Sequence, residues 1–78
     1  MTKQLNRWQI ECAHTPETID RVLMPIRKRG ICVESFSYQK TNEESAVCTI
    51  EFEMEGADLD RVYKNMLRIY DIQTITKL

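Results

Sequence analysis

Trp8, Ile10 and Cys12 alternate with Arg7, Gln9 and Glu11, a period of two that describes a strand with one dry and one wet face. Thr15, Pro16 and Glu17 then supply a helix start: a capping hydroxyl, a proline whose missing N–H costs nothing in the first turn, and an acidic residue at the positive end of the dipole. A helix is predicted from Pro16. Ile19, Val22, Leu23 and Ile26 recur at offsets of 0, 3, 4 and 7, and Arg27, Lys28 and Arg29 suit a C-terminal turn before Gly30. Pro25 is discordant, because inside a helix it removes a backbone hydrogen bond; it predicts a kink or an early stop.

From Ile31 to Lys40 the β-branched and aromatic residues return, with a shift of apolar parity between Val33 and Phe36 that predicts a bulge or a two-sided strand. The polar stretch Thr41 to Glu44 reads as a hairpin connection. Beyond it Ala46, Cys48, Ile50, Phe52 and Met54 alternate with Val47, Thr49, Glu51 and Glu53, the clearest strand of the chain. Leu59, Val62, Tyr63, Met66, Leu67 and Tyr70 form the apolar stripe of a second helix, and Asp71 to Leu78 reads as a last strand. The order βαββαβ is that of the ferredoxin-like α+β fold, a four-stranded antiparallel sheet. Right-handed crossovers put both helices on one of its faces. The other face would carry Arg7, Gln9, Glu11, Thr49, Glu51 and Glu53. One domain is expected over residues 1–78.

At 78 residues the chain holds one small core and no interdomain cleft, so a partner or a second copy would add to its stability. Eleven basic against twelve acidic residues give a net charge of -1, which does not favour a polyanion. No apolar run approaches the length of a membrane span, and no apolar signal core follows the first basic residues; a cytoplasmic protein without membrane contact is expected. Cys12, Cys32 and Cys48 contain no Cys-x-x-Cys pair and are expected to be reduced thiols, core residues more readily than ligands.

Several chemistries fit this topology and each asks for residues at set places. A base-stacking RNA surface needs aromatic residues on the open face of the central strands, where this chain has Thr49, Glu51 and Glu53. A closed zinc site needs four ligands, whereas Cys12 and His14 on one strand face offer two. The first loop has no glycine to cradle a phosphate, and His14 has no identifiable serine or aspartate partner for general-base work. Glu51, Glu53 and Glu55 share one strand parity, as charges on a wet face ordinarily do. Trp8 is expected beneath the helices. No catalytic residue, metal site or cofactor is expected in this chain.

The block His14-Thr15-Pro16-Glu17-Thr18-Ile19-Asp20-Arg21-Val22, followed by Arg29-Gly30-Ile31-Cys32-Val33-Glu34-Ser35-Phe36, resembles the ACT-domain regulatory subunits of acetolactate synthase. Those subunits show Asn-x-Pro-Gly-Val-Leu-x-Arg-Val and then Arg-Gly-Phe-Asn-Ile-Glu-Ser-Leu at the same separation. Pro16, Arg21, Val22, Arg29, Gly30, Glu34 and Ser35 match outright. The short single-domain members, which begin this helix with Pro-Glu-Thr, look closest.

The resemblance implies a noncatalytic small subunit that activates a separate, thiamine-diphosphate-dependent large subunit in branched-chain amino-acid biosynthesis. It also implies a homodimer joined through the second strand and the first helix, with Val33, Ser35, Phe36 and Tyr38 at the interface, and an amino-acid effector site at that interface. His14, Glu17 and Cys32 stand where feedback-sensitive members carry asparagine, glycine and asparagine, and Thr18 and Ile19 offer N–H groups at the helix start. Glu17 puts a side chain and a negative charge where a carboxylate would dock, so weak or absent valine binding is expected. The alternatives are a free-standing amino-acid-sensing ACT domain and a nucleic-acid-binding ferredoxin-like module, the latter requiring a polyanion contact that the charge does not favour.

Overall fold

The computed structural model describes residues 4–78, with the side chain of residue 57 also outside the description. Its elements are β1 (Gln4–Ala13), α1 (Thr18–Arg27), β2 (Val33–Lys40), β3 (Ser45–Met54), α2 (Gly56–Leu67) and β4 (Ile72–Lys77). The strands form one antiparallel sheet in the order β2-β3-β1-β4, so β1 and β3 are central and β2 and β4 are edges.

The period-two pattern sets the two faces. Trp8, Ile10 and Cys12 of β1 and Ala46, Cys48, Ile50, Phe52 and Met54 of β3 are buried together with Val22 and Ile26 of α1 and Val62 and Met66 of α2. Both helices therefore cover the same face. Trp8 is wholly enclosed, edge-on to Phe52 at 5.0 Å and to Tyr63 at 5.7 Å between ring centroids. Each such large side chain buried contributes about 1.5–3 kcal/mol.

The parity shift in the second strand is a bulge. Val33 pairs with Phe52 and Ser35 with Glu51, so one extra residue, Glu34, lies on the β2 side. That returns Phe36 and Tyr38 to the helix side with Val33. β4 has a similar irregularity opposite Glu11 and Cys12, which lets Ile72 and Ile75, three positions apart, both enter the core.

The helix ends depart from expectation in three places. First, α1 begins at Thr18 and not at Pro16. The Thr15 hydroxyl lies 2.7 Å from Thr18 Oγ1, the Thr18 hydroxyl donates to the Ala13 carbonyl at 2.7 Å, and the Thr18 N–H closes a turn on the Thr15 carbonyl. The threonine pair is thus spent on the turn between β1 and α1. Second, α1 continues through Pro25 to Arg27, and Ile19 is 37% exposed, off the buried stripe. Third, α2 stops at Leu67, so Leu67 and Tyr70 point outward while Ile69, Asp71 and Ile72 turn inward.

After α1 the chain reverses at Gly30, whose φ of 70° is the left-handed value glycine tolerates best. Its N–H bonds to the Arg27 carbonyl and that of Ile31 to the Ile26 carbonyl, the Schellman pattern, with Ile31 packed on the core.

Candidate functional site

His14 leaves β1 at the end of the sheet where Ala13 faces Ser45 and Lys40 faces Ala46. Its N–H is held by the Glu44 carbonyl at 2.9 Å, and its Nδ1 lies 2.8 Å from the Tyr38 hydroxyl on edge strand β2. Burial raises the Tyr38 phenol above its usual range, and the nearby Asp71 carboxylate opposes its ionisation further. A phenol kept protonated is the natural donor to Nδ1, which leaves the proton of a neutral imidazole on Nε2.

Below this pair, Cys12 Sγ lies 3.7 Å from Cys48 Sγ and 3.6 Å from the Ala46 carbonyl oxygen, all sealed in the core. Burial pushes the Cys48 thiol up to about 12 and the Cys12 thiol upward as well. The thiolate is the reactive and metal-binding form, so both side chains act as packing groups at neutral pH. No cluster of three or more His, Cys, Asp or Glu able to hold a metal occurs among the described residues.

Arg21 on α1 donates to buried Asp71 at 2.6 Å, and the Asp71 carbonyl accepts the Ala13 N–H at 2.8 Å. This clamp fixes α1 against the ends of β1 and β4. Arg21 was visible only as part of the sequence block, and Asp71 reads in sequence as an ordinary first residue of a strand.

The residues expected to line an effector pocket fall into two groups. His14, Glu17, Thr18 and Ile19 gather at the β1–α1 turn, where Thr18 is buried and Glu17 is exposed with no capping bond from its side chain. Of the two N–H groups expected there, that of Thr18 is already engaged by the Thr15 carbonyl. Cys32 lies at the far end of the sheet, just before Val33 where it meets Phe52. With β1 ten residues long, the two groups are roughly 30 Å apart within one chain. Cys32 is exposed and borders a shallow cavity of about 410 Å³ together with the carboxylates of Glu34, Glu53, Glu55 and Asp58.

Val33, Ser35, Phe36 and Tyr38 lie on β2, an edge strand of the sheet. β2 contains no fully buried residue, unlike the other three strands: Val33, Phe36 and Tyr38 reach the core only in part.

No protein-family model matches the sequence, and no curated protein matches it. Solved structures do. The ACT domain from GTP pyrophosphokinase of Chlorobium tepidum superposes with a TM-score of 0.82 at 13% identity, covering 99% of this chain and 100% of that one. The C-terminal domain of the MgtC protein from Mycobacterium tuberculosis gives 0.75 at 14%, covering 97% of this chain and 86% of that one. The acetolactate synthase small subunit from Thermotoga maritima gives 0.79 at 11%, covering 95% of this chain but only 47% of the subunit. What these likenesses establish is architecture: the chain has the ferredoxin-like βαββαβ fold of ACT domains.

Proposed function

We propose that this chain is a noncatalytic small subunit of acetolactate synthase, acting by binding a separate catalytic large subunit and holding it in its competent state. The observation that carries the reading is where the resembling block falls on the fold. Arg21 of the block makes the ion pair to Asp71, Gly30 makes the left-handed reversal, and Glu34 is the bulge residue of the edge strand. The matched positions are thus the pivots of the α1–β2 unit. A subunit of this kind works by population shift, binding one conformation of its partner better than another, and the carbon–carbon bond chemistry stays with the large subunit and its thiamine diphosphate.

The same reading makes the protein a cytoplasmic homodimer through β2. Two copies related by a two-fold axis would pair their β2 strands antiparallel, covering Val33, Phe36 and Tyr38 and satisfying the free edge. Antiparallel pairing also brings Cys32 of one copy toward His14 of the other, closing the distance that separates them within a chain. An amino-acid site completed in this way would include Glu17, and valine binding would be weak.

Mixing the purified chain with a candidate large subunit tests the proposal by complex formation and turnover. A complex with raised turnover supports it. The absence of both a complex and a change in turnover would remove it, and tight amino-acid binding alongside that failure would favour a free-standing sensing domain.

A further inference from the structure

A cavity of about 900 Å³ opens between the outer side of α1 and the turn after α2. Arg21 and Met24 line it from α1, Lys28 and Arg29 from the turn that follows, and Ile69 and Tyr70 from the turn after α2. Its apolar floor is uncovered: Met24 is 49% and Tyr70 96% exposed. Three cations border it and no acidic side chain lines it. Arg21 uses one nitrogen on Asp71 yet remains half exposed, Arg29 is 3.7 Å from Asp58, and Lys28 has no carboxylate partner among the described residues. Pro25 also lines the groove and has no N–H to give the Arg21 carbonyl.

The surrounding charge has the same sign. Segments 17–30 and 56–71, which build the helix layer, carry seven basic and five acidic residues, while the rest of the described chain carries three basic and seven acidic. An exposed aromatic and a methionine between arginines and a lysine have the composition of an interface centre with a charged rim. Its complement is acidic and apolar at once.

We propose that this groove is where the catalytic large subunit docks, through an acidic segment that places an apolar side chain between Met24 and Tyr70 and carboxylates against Lys28 and Arg29. The inference rests on the small-subunit reading for the identity of the partner, and on the groove's charge for its chemistry.

Calorimetry with the large subunit compares the wild-type chain with Lys28→Glu, Tyr70→Ala and, on the open sheet face, Thr76→Lys. The first two are expected to weaken binding about tenfold or more, Thr76→Lys to leave it unchanged, and affinity to fall as salt is raised. Full-strength binding by both groove variants would overturn the inference while leaving the subunit reading intact. If the wild-type chain does not bind the large subunit, that reading fails and a second arm decides the groove. In that arm a synthetic amphipathic peptide of glutamate and leucine is titrated into the isotope-labelled chain. Amide shifts concentrated at Met24, Lys28, Ile69 and Tyr70 support an acidic occupant; shifts on the open sheet face, or none, overturn it. Sedimentation of both variants closes the remaining route: dissociation of a homodimer by Tyr70→Ala would assign the groove to a second copy and overturn the proposal.

Discussion

Arg21 Nη1 lies 2.6 Å from Asp71 Oδ2, joining a half-exposed guanidinium to a carboxylate that is only 4% exposed. Among the described residues Asp71 is the one acidic side chain taken into the core, and removing its partner leaves that charge enclosed. Arg21→Ala is expected to cost about 1–3 kcal/mol, below the figure for a fully buried pair because water reaches the arginine side. Arg21→Met combined with Asp71→Asn should recover part of the loss. Urea unfolding of the three variants checks this; equal stabilities for wild type and Arg21→Ala would contradict it.

The two glycines give a paired test of backbone strain. Gly30 has a φ of 70°, and a Cβ there would meet nothing within 4 Å, so the cost of Gly30→Ala comes from the left-handed backbone alone, about 1–2 kcal/mol. Gly56 begins α2 with the same open surroundings and no positive φ. Gly56→Ala is expected to be neutral or to stabilise by up to about 1 kcal/mol. Thermal melts of the two variants should move in opposite directions or differ by several degrees.

The paired thiols set an alkaline limit. The Cys48 thiol is raised from 9.0 to about 12 by burial first and by Cys12 second, so between these values the folded chain holds a proton that the unfolded chain releases. That contribution to stability is complete below pH 9 and is lost as pH rises toward 12, at about 1.4 kcal/mol per pH unit from this group alone. Cys48→Ala should flatten the slope while lowering stability at neutral pH through the cavity it leaves. Mild alkylation of the native chain should modify exposed Cys32 and spare Cys12 and Cys48. Rapid labelling of either core thiol would contradict the packing described.

Valine binding tests the altered helix start. With an exposed carboxylate at Glu17 and the Thr18 N–H already engaged, calorimetry on the purified chain is expected to give weak or undetectable valine binding. Glu17→Gly combined with Cys32→Asn should strengthen it at least tenfold. Tight binding by the wild-type chain, or sedimentation showing only monomer at micromolar concentration, would contradict the proposed interface site.

The sheet was legible because its strands obey a period of two, and even the β2 bulge showed as a parity slip between Val33 and Phe36. The helix ends were not. Thr15 looked like a cap, but Thr18 three residues on competes for it and binds the Ala13 carbonyl instead. Tyr70 continued the stripe of α2 arithmetically, yet the helix ends three residues earlier and the turn throws it outward. The His14–Tyr38 and Arg21–Asp71 contacts join residues 24 and 50 positions apart, which no local pattern encodes. Nor does local pattern reveal that His14 and Cys32 lie at opposite ends of the sheet, since that follows from strand order.

The central claim is that this chain acts by binding an acetolactate synthase large subunit. Its most direct test is the turnover of the purified large subunit, supplied with thiamine diphosphate, as this chain is titrated in. A saturable rise in turnover, reduced at fixed concentration by Lys28→Glu and Tyr70→Ala, is predicted. Turnover that stays flat up to a large molar excess of the wild-type chain, with no complex in sedimentation, would contradict the account.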